Sequence, residues 1–218
     1  MRGKHPTLEH ESRLWAQGYR AVAGLDEAGR GAWAGPVCAG AVIFDPQATD
    51  WSKLSGVCDS KQLSTAQREA ALGSIQNRAL AWAAGWASAA EIDAIGIVPA
   101  TRLAMRRALE QLSLHPDALL IDALRLSEIP LPQHSFPFAD QLSLSVAAAS
   151  IVAKVSRDHW MAEQAEVIYT GYGFGQHKGY GTRLHQEALA TRGPCAIHRR
   201  TFAPIALYVH AQQEQATP

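Results

Sequence analysis

Two adjacent acids, Asp26 and Glu27, follow a short apolar run and come just before a glycine-rich turn, residues 29–31, that carries an arginine. Neighbouring carboxylates repel each other. A divalent cation such as Mg²⁺ is the simplest partner that keeps both ionised, because Mg²⁺ prefers oxygen ligands and commonly takes one or two carboxylates plus phosphate oxygens. The pattern therefore indicates metal and phosphate chemistry. The pair alone also fits two solvated acids in a turn, since most charged residues are exposed.

Two further acids follow extended segments. The apolar run 118–121 is typical of a strand buried on both faces, and it ends in Asp122. A proline-broken segment then leads through a short extended piece, 135–139, to Asp140. The carboxyl ends of strands in α/β sheets are where such folds usually bind ligands, although a helix or turn cap is an open alternative for Asp122.

The remaining pattern predicts strands alternating with helices that would position these acids. A capping box at Ser64 and Gln67 indicates a helix running to about residue 76, and Pro99 suits the first turn of a helix that ends near residue 112. A helix from Ser145 to about residue 155 is rich in small residues that allow close backbone packing. The other predicted strands are 22–25, 37–44 and a buried strand at 79–87.

Lys154 and Arg157 lie one turn apart on the small-residue helix. One face of that helix could therefore present two cations to phosphate or to the acids. Ordinary exposed surface charge is the alternative. Lysine plus arginine equals aspartate plus glutamate, at 20 each, so any nucleic-acid binding must come from a local patch.

The bulk properties predict a cytoplasmic protein without a membrane segment. The three cysteines form no Cys-x-x-Cys pair, which favours a reducing compartment. The longest uncharged apolar run, 79–90, is too short to cross a bilayer, which needs roughly 20 residues, and the polar N-terminus is unlike a secretory signal. The 218 residues suit one domain, with a frayed polar tail at about 212–218.

Six segments together resemble the ribonuclease HII family, the type 2 ribonucleases H, in the order in which that family carries them. They are GLDEAGRG at 24–31, DSKQLS at 59–64, the pair 121–122, Asp140 with AAASIVAKVSRD at 147–158, HKGYGT at 177–182, and HRRTFAP at 198–204. Ribonuclease HIII shares much of this core but carries an additional N-terminal domain, and the short segment before the first strand disfavours it.

The resemblance implies an α/β protein with a ribonuclease H-like fold. A mixed central sheet flanked by helices and a small helical C-terminal part, about 184–210, would form a single catalytic domain over 1–218. The resemblance also implies that Asp26, Glu27, Asp122 and Asp140 are the catalytic, metal-ligating carboxylates. During catalysis they would hold two Mg²⁺ or Mn²⁺ ions about 4 Å apart.

The activity implied by the resemblance is hydrolysis on the 5′ side of a ribonucleotide, leaving a 5′-phosphate and a 3′-hydroxyl. The substrates would be RNA/DNA hybrids and duplex DNA with single embedded ribonucleotides. A monomer is the default expectation, because the sequence carries no positive sign of an oligomer. RNA differs from DNA on the sugar by the 2′-hydroxyl, which the backbone of the turn Gly29, Arg30 and Gly31 would approach. Tyr180 would recognise the sugar at the ribo-to-deoxyribo junction, with Tyr172 as the alternative. The implied phosphate contacts are Arg30, Lys61, Lys154, His177 and Lys178.

Three positions depart from the family pattern. Gln62 stands where a second lysine is common, while Ala123 after Asp122 and Ala139 before Asp140 stand where glycine is usual. The two alanines are expected to change backbone freedom beside the acids.

Two other functions stay open at this stage. A catalytically inactive duplex-binding protein of the same fold would have no use for four carboxylates. A hydrolase of small phosphoesters would have no use for the basic and histidine-containing C-terminal motifs.

Overall fold

Five strands form one mixed sheet, which confirms the predicted fold class. The computed structural model describes the backbone of residues 5–215 and the side chains up to residue 209. The strands are β1 Val22–Ala28, β2 Val37–Phe44, β3 Ala79–Ala87, β4 Ala118–Asp122 and β5 Gln133–Phe136. Their order across the sheet is β3-β2-β1-β4-β5, with β1 antiparallel to β2 and parallel to β4. β3 is antiparallel to β2, and β5 is parallel to β4.

Helices cover both faces of the sheet. They are α1 Glu9–Ala16, α2 Thr65–Arg78, α3 Ala89–Ile95, α4 Ile97–Glu110, α5 Leu144–His159, α6 Glu166–Ile168, α7 Phe174–His177, α8 Arg183–Arg192 and α9 Ala203–Gln215. α4 packs on one face, and α5 with α2 packs on the other. A π-helical segment, Trp160–Ala165, joins α5 to α6. Among the described residues no helix combines the length and the apolar character that a membrane span requires.

Most of the predicted elements are confirmed, and β3 shows one error. The capping box of α2 forms both bonds, since Ser64 accepts from the backbone N–H of Gln67 and the Gln67 side chain accepts from the N–H of Ser64. The prediction that β3 is buried is wrong, because β3 lies at the edge of the sheet. Leu80 and Trp82 are 48% and 39% exposed on its open face.

The extended piece predicted at 135–139 is also wrong in its second half. β5 ends at Phe136, immediately before Pro137, and Asp140 lies in a 3₁₀ turn, Ala139–Gln141. Proline has no N–H to donate to a neighbouring strand, so β5 stops where Pro137 begins. Phe138 then adopts a left-handed conformation with φ of 59°. Asp140 therefore reaches the site from a turn rather than from a strand end.

The small residues of α5 allow it to lie directly against β1 and β2, as predicted. A Cβ atom on Gly24 of β1 would overlap the backbone of Ser145, and a Cβ on Gly40 of β2 would overlap the carbonyl oxygen of Ala149. The backbone of α5 thus contacts the backbone of the sheet. Ser143 caps the helix by accepting a hydrogen bond from the N–H of Val146.

The C-terminal part consists of α8, a loop and α9. α9 continues to Gln215, so the first residues of the tail predicted at 212–218 are helical. Residues 216–218 lie outside the described part of the chain.

The close packing of α5 predicts opposite effects for two glycine-to-alanine substitutions. Gly40→Ala should lower the free energy of unfolding by about 2 kcal/mol, because its methyl group has no space against Ala149. Gly73→Ala, inside α2 with open space around it, should raise the free energy of unfolding by about 0.5–1 kcal/mol. Urea denaturation of both variants measures the difference. Equal effects would show that the contact at Gly40 is looser than described.

Candidate active site

Asp26 and Asp122 meet because β1 and β4 are parallel neighbours. Leu25 pairs with Ile121, and the next residue on each strand is an acid. Parallel strands end at the same edge of a sheet, so both side chains belong to one site. Asp26 is buried and accepts a hydrogen bond of 2.7 Å from the N–H of Glu27.

Asp140 joins this edge through Asp122. Oδ1 of Asp122 accepts a 2.9 Å hydrogen bond from the N–H of Ala139, which ties the 3₁₀ turn to the end of β4. The ammonium group of Lys61 lies 4.0 Å from Oδ2 of Asp140. The turn 139–141 and the DSKQLS segment therefore border the same group of acids.

Asp59 is a fifth acid of the site, and sequence reasoning missed it. It is buried, and its repulsion helps to raise the pKa of Asp140. Its Oδ1 accepts a 3.0 Å hydrogen bond from the N–H of Lys61, and the Gln62 amide donates to its Oδ2 at 3.4 Å. The signal was available, since Asp59 opens the DSKQLS motif.

Burial and mutual repulsion raise the pKa values of Asp26, Glu27 and Asp140. Burial raises the pKa of Asp26 well above its ordinary value, with further contributions from Glu27 and Asp122. Burial, then Asp59 and then Asp122, raise the pKa of Asp140 to about 6. Burial also raises the pKa of Glu27, although Arg30 opposes this effect from 3.2 Å. The described side chains therefore supply too little positive charge to keep all three of these acids at their ordinary pKa values.

The donor chemistry of these residues fits a hard divalent cation. Oε2 of Glu27 is buried and has no hydrogen-bond partner among the described residues, and the surrounding donors are carboxylate oxygens. Oxygen donors of this kind are the ligands that Mg²⁺ prefers. Among the described side chains, residues 5–209, no three Asp, Glu, His or Cys residues are already arranged to hold a metal ion.

The glycine-rich turn lies against a buried arginine. Gly29 has φ of 90°, and a Cβ atom there would overlap the side chain of Arg157. Gly29 is therefore needed to admit Arg157. Gly31 is exposed, with open space where a Cβ would lie, and the Arg30 side chain is 39% exposed while bonded to Glu27.

Both predicted roles of Arg157, a phosphate-facing cation or a surface charge, are wrong. Arg157 is fully buried and donates hydrogen bonds of 2.8–3.0 Å to the carbonyl oxygens of Pro36, Lys178 and Ala34. Lys154 is mostly buried and pairs with Asp158 at 2.7 Å. Its ammonium group also lies 5.6 Å from the centre of the Tyr180 ring.

The two tyrosines have different surroundings. Tyr172 is buried, and its hydroxyl donates a 2.7 Å hydrogen bond to the carbonyl of Gly193. Tyr180 is half-buried, and its hydroxyl has no hydrogen-bond partner within the described residues. The guanidinium carbon of Arg157 lies 5.5 Å from the centre of the Tyr180 ring. Tyr180 is therefore the tyrosine whose hydroxyl is available to a ligand.

The structure contradicts the prediction that His177 contacts phosphate. His177 is buried, and burial lowers its pKa. Its Nδ1 accepts from the N–H of Gly179, and its Nε2 donates to the carbonyl of Tyr172. Lys178 is half-buried and donates to the carbonyl of Gly175 at 2.7 Å, whereas the Lys61 side chain is 81% exposed. Lys61 and Arg30 are thus the most accessible of the predicted phosphate contacts.

Comparison with known proteins assigns the chain to a family. The family model for ribonuclease HII matches residues 23–205. The chain belongs to the ribonuclease HII family. Ribonuclease HII of Roseiflexus castenholzii is 54% identical over 206 residues, which cover 94% of this chain and 92% of the relative. The chain is therefore a ribonuclease, a hydrolase that acts on nucleic acid.

Solved structures of the ribonuclease HII family and its neighbours share the fold. Ribonuclease H2 from Pyrococcus horikoshii OT3 matches with a TM-score of 0.70 and 25% identity, covering 88% of this chain and 99% of that one. Bst-RNase HIII in complex with Mn²⁺ matches with a TM-score of 0.65 and 18% identity, covering 89% of this chain and 71% of that one. At this identity the second match shows the fold alone.

The raised pKa of Asp140 predicts that replacing this acid by a neutral residue stabilises the metal-free protein, and that the gain in stability depends on pH. The folded state binds the proton more tightly than the unfolded chain, so the free energy of unfolding falls as pH rises from about 4 to about 6. In metal-free buffer at pH 7, Asp140→Asn should be more stable than the parent by on the order of 2 kcal/mol. Chemical denaturation at pH 4–7.5 with chelator tests this, and the difference should shrink towards pH 4. A difference independent of pH would contradict it.

Ala123 and Ala139 stand where glycine is usual in the family pattern, and replacing each by glycine should change the free energy of unfolding in opposite directions. Ala123 has φ of 53°, where an L-residue with a Cβ is strained by about 1–2 kcal/mol, so Ala123→Gly should raise the free energy of unfolding by about 0.5 kcal/mol or more. Ala139 is buried and has no left-handed φ, so Ala139→Gly should lower it by about 1 kcal/mol. Thermal and urea unfolding compare the pair. Destabilisation by both substitutions would show that strain at Ala123 is relieved elsewhere.

Proposed function

We propose that the chain is an endoribonuclease that cleaves on the 5′ side of ribonucleotides, leaving a 5′-phosphate and a 3′-hydroxyl. Its substrates are RNA/DNA hybrids and duplex DNA that contains single ribonucleotides. The observation that carries the proposal is the group of acids that β1, β4 and the turn 139–141 bring together beside the turn 29–31, with Asp26 and Asp140 buried and their pKa values raised. Membership of the ribonuclease HII family supports it.

In this proposal Asp26, Glu27, Asp122 and Asp140 hold Mg²⁺ or Mn²⁺. Two such ions supply an activated water and stabilisation of the leaving oxygen. The unpartnered Oε2 of Glu27 and the raised pKa values of the acids support a cation site, because positive charge would remove the repulsion. The Mn²⁺ complex of Bst-RNase HIII supports the same class of ligand for this fold.

The cationic side chains at the rim hold the phosphate backbone. Lys61 is exposed and lies 4.0 Å from Asp140, so its ammonium group can contact a phosphate while it remains beside the acids. Burial lowers the pKa of Lys61, but attraction to Asp26 and Asp59 outweighs that effect, and the net pKa is raised. Arg30 is placed similarly beside Glu27. Such contacts position the duplex without reading its sequence.

The turn 29–31 reads the ribonucleotide, and Tyr180 recognises the sugar at the ribo-to-deoxyribo junction. The open space at Gly31 lets backbone approach the sugar, and the unpartnered hydroxyl of Tyr180 can face it. The 2′-hydroxyl is the group that such a site can read to distinguish RNA from DNA. Tyr180 and Gly29 both lie against the buried Arg157 side chain, which supports a fixed placement of the turn and the tyrosine relative to each other.

The acting form in this proposal is a monomer, because one chain supplies all the acids of the site. The proposed compartment is that of chromosomal DNA, the cytoplasm in bacteria such as those of the relatives. An inactive duplex-binding protein is the alternative. Buried carboxylates that repel each other would lower its stability without serving binding, and this disfavours it.

The proposal is tested on an end-labelled DNA duplex that contains one ribonucleotide, with the all-DNA duplex as control. The purified protein is incubated with Mg²⁺ or Mn²⁺ and, in parallel, with chelator. We expect metal-dependent nicking on the 5′ side of the ribonucleotide and none in the control. Binding of the duplex without nicking would favour the inactive binder.

Asp122→Asn should abolish this cleavage while folding and duplex binding persist. The amide keeps an oxygen that can accept from Ala139 but removes the charge, and a loss of about 4 kcal/mol of transition-state stabilisation corresponds to about a thousandfold in rate. Asp50→Asn, at an exposed acid outside the site, is the matched control and should cleave normally. Single-turnover cleavage and gel-shift binding measure the two effects. Retained activity would remove Asp122 from the site.

A further inference from the structure

Three buried imidazoles form a continuous chain beneath the HKGYGT segment. His177 and His185 stack with ring centres 4.3 Å apart, and Nε2 of His185 lies 3.0 Å from Nε2 of His198. All three side chains are buried. The proposed reaction uses none of them.

The hydrogen-bond partners fix where each proton lies. The N–H of Cys195 donates to Nδ1 of His198 at 2.9 Å, so neutral His198 carries its proton on Nε2 and donates it to His185. His185 then carries its own proton on Nδ1, which donates to the carbonyl of Tyr180 at 3.0 Å. A second proton on His185 would place its Nε2–H against the Nε2–H of His198. A second proton on His198 would place its Nδ1–H against the N–H of Cys195. Burial, which lowers the pKa of both His185 and His198 to about 4, agrees with neutral rings.

The chain of imidazoles is hydrogen-bonded to the backbone of Gly179 and Tyr180, which sets the position of the Tyr180 ring. His177 accepts from the N–H of Gly179 at 3.1 Å, and His185 donates to the carbonyl of Tyr180. The carbonyl of Gly179 accepts from the N–H of Trp33 at 2.8 Å, and the N–H of Tyr180 donates to the carbonyl of His177 at 2.9 Å. The carbonyl of Tyr180 accepts from the N–H of Thr182 at 2.8 Å as well as from His185. Every backbone polar group of residues 179–180 therefore has a partner, and imidazoles supply two of these hydrogen bonds.

We propose that this chain of neutral imidazoles positions Tyr180 for reading the sugar. His185 acts as a positioning residue through its single hydrogen bond to the Tyr180 carbonyl, and His198 holds His185 in the required tautomer. The inference rests on the proposed role of Tyr180 in the reaction. A displacement of about 1 Å at such a contact can lower a rate by about a hundredfold, which makes the backbone bonds of Tyr180 relevant to selectivity.

Two substitutions of the same residue separate positioning from packing. His185→Asn can place an N–H near the position of Nδ1 and keep the bond to Tyr180, while it loses the contact with His198. His185→Gln extends its amide towards the position of Nε2, so it can keep the contact with His198 and loses the bond to Tyr180. Both are polar and similar in size, so a merely structural role predicts the same effect for both.

The readout is kcat/KM on the duplex with one ribonucleotide relative to kcat/KM on a uniform RNA/DNA hybrid. His185→Gln should lower this ratio by about tenfold to a hundredfold, mainly through kcat, whereas His185→Asn should keep it near that of the parent. The melting temperatures of the two variants should be similar. Equal loss in both variants, or loss that follows the melting temperature, would overturn the inference.

Tyr180→Ala distinguishes failure of this inference from failure of the proposed function. If Tyr180→Ala lowers the ratio and His185→Gln does not, the positioning role is wrong and the role of Tyr180 stands. If Tyr180→Ala has no effect, the role of Tyr180 fails and the inference fails with it. When both substitutions are combined, His185→Gln should add no further loss.

A second variant covers the case in which the His185 variants do not fold. His198→Asn keeps an acceptor for the N–H of Cys195 but removes the donor to His185, so either tautomer of His185 becomes available. It should lower the same ratio severalfold, with cleavage of the uniform hybrid little changed. An unchanged ratio would overturn the inference.

Discussion

The direct contact between α5 and the sheet constrains the whole site. Gly24 and Gly40 leave no room between the helix backbone and the strands, so α5 can neither slide nor rotate without overlap. The turn that carries Asp140 leads into this helix, and Arg157 lies in its last turn. One packing contact therefore fixes the acid group at one end of α5 and the turn 29–31 at the other.

The end of α5 acts through two buried guanidinium groups. Arg157 bonds to three carbonyl oxygens, and Arg199 bonds to those of Gly35 and Arg30 at 3.0 and 2.8 Å. Neither arginine forms a salt bridge within the described residues. Carbonyl groups compensate for part of the loss of hydration, and Nη2 of Arg199 is buried with no hydrogen-bond partner there. Burial lowers the pKa of both side chains. These hydrogen bonds tie the loop between β1 and β2 to α5 and to Arg199.

Sequence could predict the elements with strong local signals. The bounds of β2 and β3, the capping box of α2 and the position of Asp122 at the end of β4 all follow from runs of a few residues. The sequence does not predict the turn that carries Asp140. The effect of Pro137 depends on which strand β5 pairs with, and that pairing cannot be read from the sequence. β3 was misjudged for a similar reason, since edge and centre strands have the same local pattern.

The roles of single cations were the hardest part of the site to predict. Arg157 and His177 have the residue types of phosphate contacts, yet both are buried and bonded to backbone groups from other parts of the chain. These partners lie across tertiary contacts that no spacing along the chain reveals. Asp59 lies in a motif that the sequence does reveal. Its proximity to Asp140 depends on the fold, however, and cannot be predicted from the spacing of the two residues along the chain.

At neutral pH the buried histidines have all their hydrogen-bond partners, whereas the described side chains place too little positive charge beside the buried acids. The buried histidines are neutral, and each ring nitrogen has a partner, so the backbone of Tyr180 is held in place without a ligand. Burial raises the pKa of Asp26 and of Asp140, so both carboxyl groups favour binding a proton. A cation bound at the site would displace these protons. In the proposed function, a cation stabilises the acid end of the site, while the backbone around Tyr180 is already hydrogen-bonded. Because a cation relieves the repulsion among the acids and attracts phosphate, the proposed site gains most from a substrate that reaches both ends at once, as a nucleic-acid duplex can.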